Sequence, residues 1–284
     1  HKKLVASGAL SELHVVEGGK HGGDLFRTSD IRRRVLHFFQ RSLMKNWNQG
    51  AGPNARFCIL DASAPTHWSV VRDEGIKWKI PLPATGQSTV VSWGNRIFFT
   101  TMEPVQQDST IGSDIVAWCC DLNNGNTLWK QKITAKYPLR LSGCFSDSTA
   151  PPPVTDGQSV CFFNASGTIA CFDFDGNLQW SRNLMAVGRS QPTLIQGSVV
   201  FIKQSYMPDE GGKFTHDHGD APVEQWTQLQ AIDLRTGEDM WATTCGVNMG
   251  CVPLLMSRTD GLEVMVVGRG GGHSPPEKPI GVSM

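Results

Sequence analysis

The sequence lacks any apolar run approaching the ~18 residues that a membrane-crossing helix requires, so no transmembrane segment is expected. Its first residues do not read as a signal peptide either; the chain begins with His1 rather than methionine, which leaves the question of export open. Charge of one sign is also missing. The 26 basic residues balance 26 acidic ones, only 18% of positions are charged, and no long basic block occurs. Nothing here suits nucleic acid or an anionic membrane surface. Eight cysteines in 284 residues are too few for a dense disulfide framework, and their spacing matches no zinc pattern. No G-x-S-x-G nucleophile elbow occurs, so these residues do not contain the nucleophile of a serine α/β-hydrolase in its usual setting.

What the chain does have is length and repetition. A chain of 284 residues can bury a good core and predicts one large domain plus a fragment, or two domains. Thirty glycines and sixteen prolines indicate many turns. Asp121, Gly125 and Trp129 in WCCDLNNGNTLW stand at offsets of four and eight, and Asp233, Gly237 and Trp241 in AIDLRTGEDMW repeat them. A shorter copy, CFDFDGNLQW, carries Asp173, Gly176 and Trp180, and Trp78 in GIKWKIPL keeps only the end of the pattern. The four tryptophans are 51, 51 and 61 residues apart, the last interval being lengthened by a polar insertion around 205–226. Such a period is the signature of a stacked repeat architecture.

A second element precedes each copy. STVVSWGNRIFF (88–99), APPPVTDGQSVCFF (150–163) and QPTLIQGSVVFI (191–202) each place a short apolar run, a turn glycine and another β-rich run, as hairpins do. CVPLLMSRTDGLEVMVV (251–267) begins the unit again, with the second half not expected before the last residue. Each repeat therefore predicts about four short strands, the last two joined by the Asp-to-Gly turn. Asp accepts backbone hydrogen bonds across such a turn, and Gly takes a positive φ without penalty. Strands such as Arg96-Ile97-Phe98-Phe99 are apolar on consecutive residues, so both faces must meet protein. Four-stranded sheets stacked face to face around an axis meet that demand. The expected fold is mainly β, a partial β-propeller, with a short N-terminal α/β segment.

AIDLRTGEDMW with its partner QPTLIQGSVVFI resembles the repeat of the pyrroloquinoline-quinone-like (PQQ-like) propellers. That family includes quinoprotein dehydrogenases and a noncatalytic outer-membrane assembly lipoprotein. NWNQGAGPN (46–54) and APTHWSVVRDEGIKWKIPLP (64–83) look like the entry segment of exported bacterial members. The resemblance implies that Trp129, Trp180 and Trp241 dock against neighbouring blades, and it places the protein in the periplasm, outside the cell or in the cell envelope. The repeat itself serves catalytic and noncatalytic relatives alike.

Two readings attach to Cys119 and Cys120. Some quinoprotein alcohol dehydrogenases hold a disulfide between adjacent cysteines over the quinone, and CCDLNNG is superficially similar. Yet Asp121, Gly125 and Trp129 keep the repeat register, which puts both cysteines on a blade strand, where neighbouring side chains point to opposite faces. The sequence favours the structural reading, with no quinone or calcium cofactor. Cys161 and Cys171 flank the turn 164–167 and face each other only in one register, so no disulfide is assigned.

Residues 1–45 differ. A strand is expected over 11–17, a glycine-rich loop at 18–23, and a helix on which Ile31, Val35, Phe38, Phe39 and Leu43 recur, with Arg32 to Arg34 on its wet side. ELHVVEGGKHGG followed by IRRRVLHFFQRSL resembles the C-terminal end of an α/β-hydrolase of esterase or peptidase type. The resemblance assigns His21 the triad histidine's role, to be exercised only with a serine and an acid supplied from outside these residues. His216 and His218, with Asp217 and Asp220, form a weaker metal-ligand candidate that lacks a distant ligand. Asn164-Ala165-Ser166 matches a glycosylation sequon but is a common chance match.

The expected organisation is a hydrolase-like end piece over 1–45, a linker and entry strand over 46–85, and an incomplete propeller over 86–284. Its blades fall at about 86–133, 146–184 and 188–245, with part of another at 249–284. The function expected is a noncatalytic scaffold that takes a protein or small-molecule ligand on its loops. The alternatives are a serine hydrolase fused to a propeller and a quinone-dependent dehydrogenase.

Overall fold

The computed structural model describes residues 15–17, 23–35, 46–55, 57–58, 65–103, 108–109, 111–137, 147–184, 190–204, 225–244, 250–260, 262–270 and 281–283. The chain divides into two compact units, His1–Asn46 with Ile59–Ala64, and Trp47–Cys58 with Pro65–Met284. In the first unit, a 3-10 turn over Asp24–Arg27 leads into a helical stretch at 29–35. Asp30 and Arg34 pair one turn apart at 2.9 Å on its exposed side. Of the strand expected over 11–17, residues 15–17 are described and are irregular, which corrects that part of the reading; 11–14 and the helix beyond Val35 lie outside the described residues.

The second unit is built of antiparallel sheets in simple meander order. The first holds β1 (Val91–Trp93), β2 (Arg96–Met102), β3 (Ile115–Asp121) and β4 (Thr127–Ile133). The second holds β5 (Val154–Thr155), β6 (Ser159–Asn164), β7 (Thr168–Asp173) and β8 (Leu178–Asn183). The third holds β9 (Thr193–Ile195), β10 (Ser198–Gln204), β11 (Thr227–Asp233) and β12 (Asp239–Thr244). A three-stranded sheet follows, with β13 (Leu254–Ser257), β14 (Glu263–Arg269) and β15 (Gly281–Ser283). These are propeller blades, among the described residues three of four strands and one of three.

Consecutive apolar residues are explained by the stacking. Phe162 joins Phe98, Ala117 and Cys119 in the core between the first two sheets, while its neighbour Phe163 joins Phe201, Val199 and Ile232 between the second and third. Val200, Ile202 and Leu229 on the far face of the third sheet meet Val267 of the last. Because adjacent strand residues point oppositely, a blade sandwiched on both sides needs apolar residues at every position.

Each outer hairpin carries a bulge at one place. Cys119 pairs with Trp129 and Cys120 with Thr127, so Leu128 is extra; Gln179 and Met240 are the extra residues in the next two hairpins. A bulge bends and twists the strand that bears it, here immediately before the repeat tryptophan. Two expectations change. Among the described residues, those around Trp78 pair with no strand, although their tryptophan is docked on the first sheet. The last sheet has a third strand, β15, so the second half of that repeat does begin within the chain.

Candidate functional site

The repeat residues meet at the blade junctions. Asp121 Oδ1 accepts the N–H groups of Asn123 and Asn124 at 2.7 and 3.2 Å, and Asp233 Oδ1 accepts those of Arg235 and Thr236 at 2.9 Å each. Asp173 Oδ1 takes the N–H groups of Asp175 and Asn177, also at 2.9 Å each. The hydrogen bonds from Asn177 to the Asp173 carboxylate, and from the Thr236 and Arg235 amides to Asp233, hold both acids below their ordinary range. Gly125, Gly176 and Gly237 close these turns with φ of 77°, 86° and 72°.

Onto each turn leans the tryptophan of the preceding repeat. Trp78 donates its indole N–H to the Leu122 carbonyl at 2.9 Å, Trp129 to Phe174 at 2.8 Å and Trp180 to Leu234 at 3.0 Å. In every case the acceptor is the residue after the turn's Asp. A Cβ added to Gly125, Gly176 or Gly237 would come within 2.7, 2.9 and 2.6 Å of the respective indole. Two residues beyond the tryptophan a second tie forms, from Gln131 Nε2 to the Gly176 carbonyl at 2.9 Å and from the Arg182 guanidinium to the Gly237 carbonyl. Arg182 also grips Asp239 with two bonds of 2.9 and 3.1 Å. Trp241, whose next blade presents no such turn among the described residues, is 40% exposed.

The cysteines fill space. Cys119 and Cys171 stand opposite Trp129 and Trp180, where the third repeat has Ala231 opposite Trp241. A small side chain is what that row accommodates. Cys119 faces the core between the first two sheets, and Cys120 faces the opposite side with Phe99 and Trp118. Both are buried free thiols, as are Cys161 and Cys171, which the register sets directly across from one another. Burial pushes Cys119 up to about 11, Cys171 to about 12 and Cys161 well above its ordinary value, so these are protonated, unreactive thiols at neutral pH. Two sulfurs on opposite faces of one strand do not suit the disulfide clamp of a quinone site.

Between β4 and the β7–β8 hairpin lies a cleft of about 490 Å³ whose lining mixes polar Gln131, Lys132 and Asn183 with apolar Ile133, Phe172 and Leu178. Lys132 pairs with Asp114 at 2.6 Å. Partial burial of Asp114 acts to raise its pKa, but the Lys132 bond, the Ala135 N–H and the lysine charge together hold it low. The Asn164 sequon is structural: buried Nδ2 donates to the Ser113 carbonyl at 2.9 Å and Oδ1 accepts from the Ser166 hydroxyl at 2.6 Å. His21, His216 and His218 lie outside the described residues. The equivalent small residues opposite the tryptophans were missed in the sequence, although the alignment of Cys119, Cys171 and Ala231 two positions before each Asp was there to be read.

Residues 112–243 match the family model described as outer membrane protein assembly factor BamB, of the PQQ_2 type. No curated protein sequence matches the chain. Among solved structures, BamB from Moraxella catarrhalis is similar at 15% identity over 75% of this chain and 68% of its own, with a TM-score of 0.39. A europium-containing methanol dehydrogenase is similar at 9% identity, 71% and 32% coverage and a TM-score of 0.38. The quinohemoprotein alcohol dehydrogenase of Comamonas testosteroni is similar at 12% identity, with a TM-score of 0.40. This chain covers 66% of its own length in that comparison and 40% of the enzyme's. Residues 112–243 therefore carry a PQQ-like, BamB-type repeat, and the four-stranded sheets they run through are β-propeller blades.

Proposed function

We propose that this protein is a noncatalytic binding or assembly scaffold of the bacterial envelope, presenting loops on a rigid stack of blades. The observation that carries the reading is the use of the repeat's polar and aromatic groups. Asp and Gly of each repeat build the turn, Trp129 and Trp180 are consumed in ties to the turn of the next blade, and the adjacent cysteines are buried filler on opposite faces of β3. No reactive constellation is left at the positions that raised the question of redox chemistry. The match to the BamB family model supports an assembly role and an envelope location. A rigid scaffold suits binding because loop positions are set in advance, which lowers the ordering cost of association.

The test uses the full chain with a photo-crosslinking residue at Val71, which is exposed on the hairpin closed by Ser69 and Glu74. Expressed with its native envelope, it should give one discrete crosslinked product in the envelope fraction. In parallel, purified protein loaded with pyrroloquinoline quinone and calcium should not reduce dye with primary alcohols. Quinone-dependent turnover would overturn the reading.

A further inference from the structure

The first strands of three successive sheets turn one edge toward residues 47–52. The registers run from Val91 through Phe98 and Cys119 to Trp129, from Val154 through Cys161 and Cys171 to Trp180, and from Thr193 through Val200 and Ala231 to Trp241. Ser92, Thr155 and Leu194 each come next along their strand, so the three are equivalent positions of the three repeats. Each donates its backbone N–H to the same short segment. Ser92 bonds the Trp47 carbonyl at 2.7 Å, Thr155 the Asn48 carbonyl at 2.9 Å, and Leu194 the Gln49 side-chain oxygen. Three equivalent edge donors are thus met by three consecutive residues. Thr155 is buried and Ser92 and Leu194 are half-buried, so an N–H left there without an acceptor carries a cost.

The segment's own residues are chosen for the fit. Gln49 is 1% exposed, and its Nε2 donates to the Gly52 carbonyl at 2.9 Å while the Gly52 N–H returns to the Gln49 carbonyl at 2.8 Å. Gly50 lies against Pro152, where a Cβ would come within 2.6 Å of the proline ring. Gly52, at φ 70°, lies against Trp47, and a Cβ there would come within 2.9 Å of the indole. The Trp47 N–H reaches the Ser92 hydroxyl at 3.2 Å.

We propose that the three strand edges form a peptide-binding site and that residues 47–52, Trp-Asn-Gln-Gly-Ala-Gly, are its intramolecular ligand. The ligand class is a short peptide with acceptors on successive residues and glycine where Pro152 leaves no room for a side chain. A peptide of this sequence supplied from outside occupies the site once the chain's own segment is released. This inference stands apart from the scaffold reading, since it needs no external partner.

The experiment takes the full chain with a specific protease sequence inserted within 59–64. After cleavage and removal of the N-terminal fragment by gel filtration in mild denaturant, a fluorescent peptide spanning residues 44–57 should bind saturably, and the same peptide carrying Gly50→Ala should bind at least about tenfold more weakly. Equal binding of the two peptides, or no binding to a cleaved chain that keeps its β-sheet spectrum, would overturn the proposal. Should cleavage unfold the protein, hydrogen exchange in the uncut chain decides. Gly50→Ala should speed exchange of the Ser92, Thr155 and Leu194 amides about tenfold or more while leaving Ala170 in β7 unchanged. Unchanged rates at those three amides, or acceleration spread evenly over all sheets, would sink it.

Discussion

Gly237 lies against Trp180 at φ 72°, and an added Cβ would clash with the ring at 2.6 Å, so two independent constraints fix one residue. Gly197 shares the positive backbone angle, φ 83°, but has open space where its side chain would be. Substituting both by alanine separates the constraints. Gly197→Ala should cost about 1 kcal/mol, the strain of the left-handed conformation. Gly237→Ala should cost about 2 kcal/mol more, through displacement of the indole. Urea unfolding of the two variants measures the difference.

The docked and undocked tryptophans should differ in worth. Trp180→Ala removes a half-buried ring and a hydrogen bond to Leu234, with an expected loss of about 3 kcal/mol. Trp180→Phe retains most of the apolar surface and should cost about 1 kcal/mol for the lost donor. Trp241→Ala, at an exposed site, should cost less than about 1 kcal/mol. Equal losses at Trp180 and Trp241 would contradict the docking account.

Acid should loosen the blade junctions. Asp173, Asp233 and Asp239 titrate below the ordinary 3.8 in the folded protein, the last chiefly because Arg182 bonds its carboxylate. A lowered folded value means stability that is fully present above the unfolded carboxylate value and is lost as pH falls through the folded one. The expected thermal midpoint is therefore flat near neutrality and declines from about pH 4 downward. Asp233→Asn should lower the midpoint at pH 7 and make the acid decline shallower, by differential scanning calorimetry.

Thiol reactivity should sort by burial. Cys58 is exposed, whereas Cys119, Cys161 and Cys171 are buried and protonated. Iodoacetamide at pH 8 should alkylate Cys58 within minutes and leave those three intact until denaturant is added, as mapped by peptide mass spectrometry. A Cys119–Cys120 disulfide in the native protein would contradict their placement on opposite faces.

The sequence and the structure meet most closely where one residue's job is local. The turn chemistry of Asp121 and Gly125 depends on five residues, so the spacing alone marks the hairpin. Double-sided burial of the Phe162–Phe163 run is legible for the same reason, because strand alternation leaves two adjacent aromatics no shared face. Long-range ties were not legible. That Leu194 would find its acceptor in Gln49, 145 residues away, depends on how three sheets converge, and no periodicity encodes it. That the residues around Trp78 form no strand among the described residues was equally hidden, since a docked tryptophan leaves the same mark whether or not its strand is hydrogen-bonded.

The most direct measurement of the central claim is hydrogen exchange at the indole nitrogens, followed by NMR with each signal assigned by single substitution. The account predicts slow exchange at Trp129 and Trp180, whose N–H groups are held by the Phe174 and Leu234 carbonyls, and fast exchange at exposed Trp241. Equal rates at all three would contradict it.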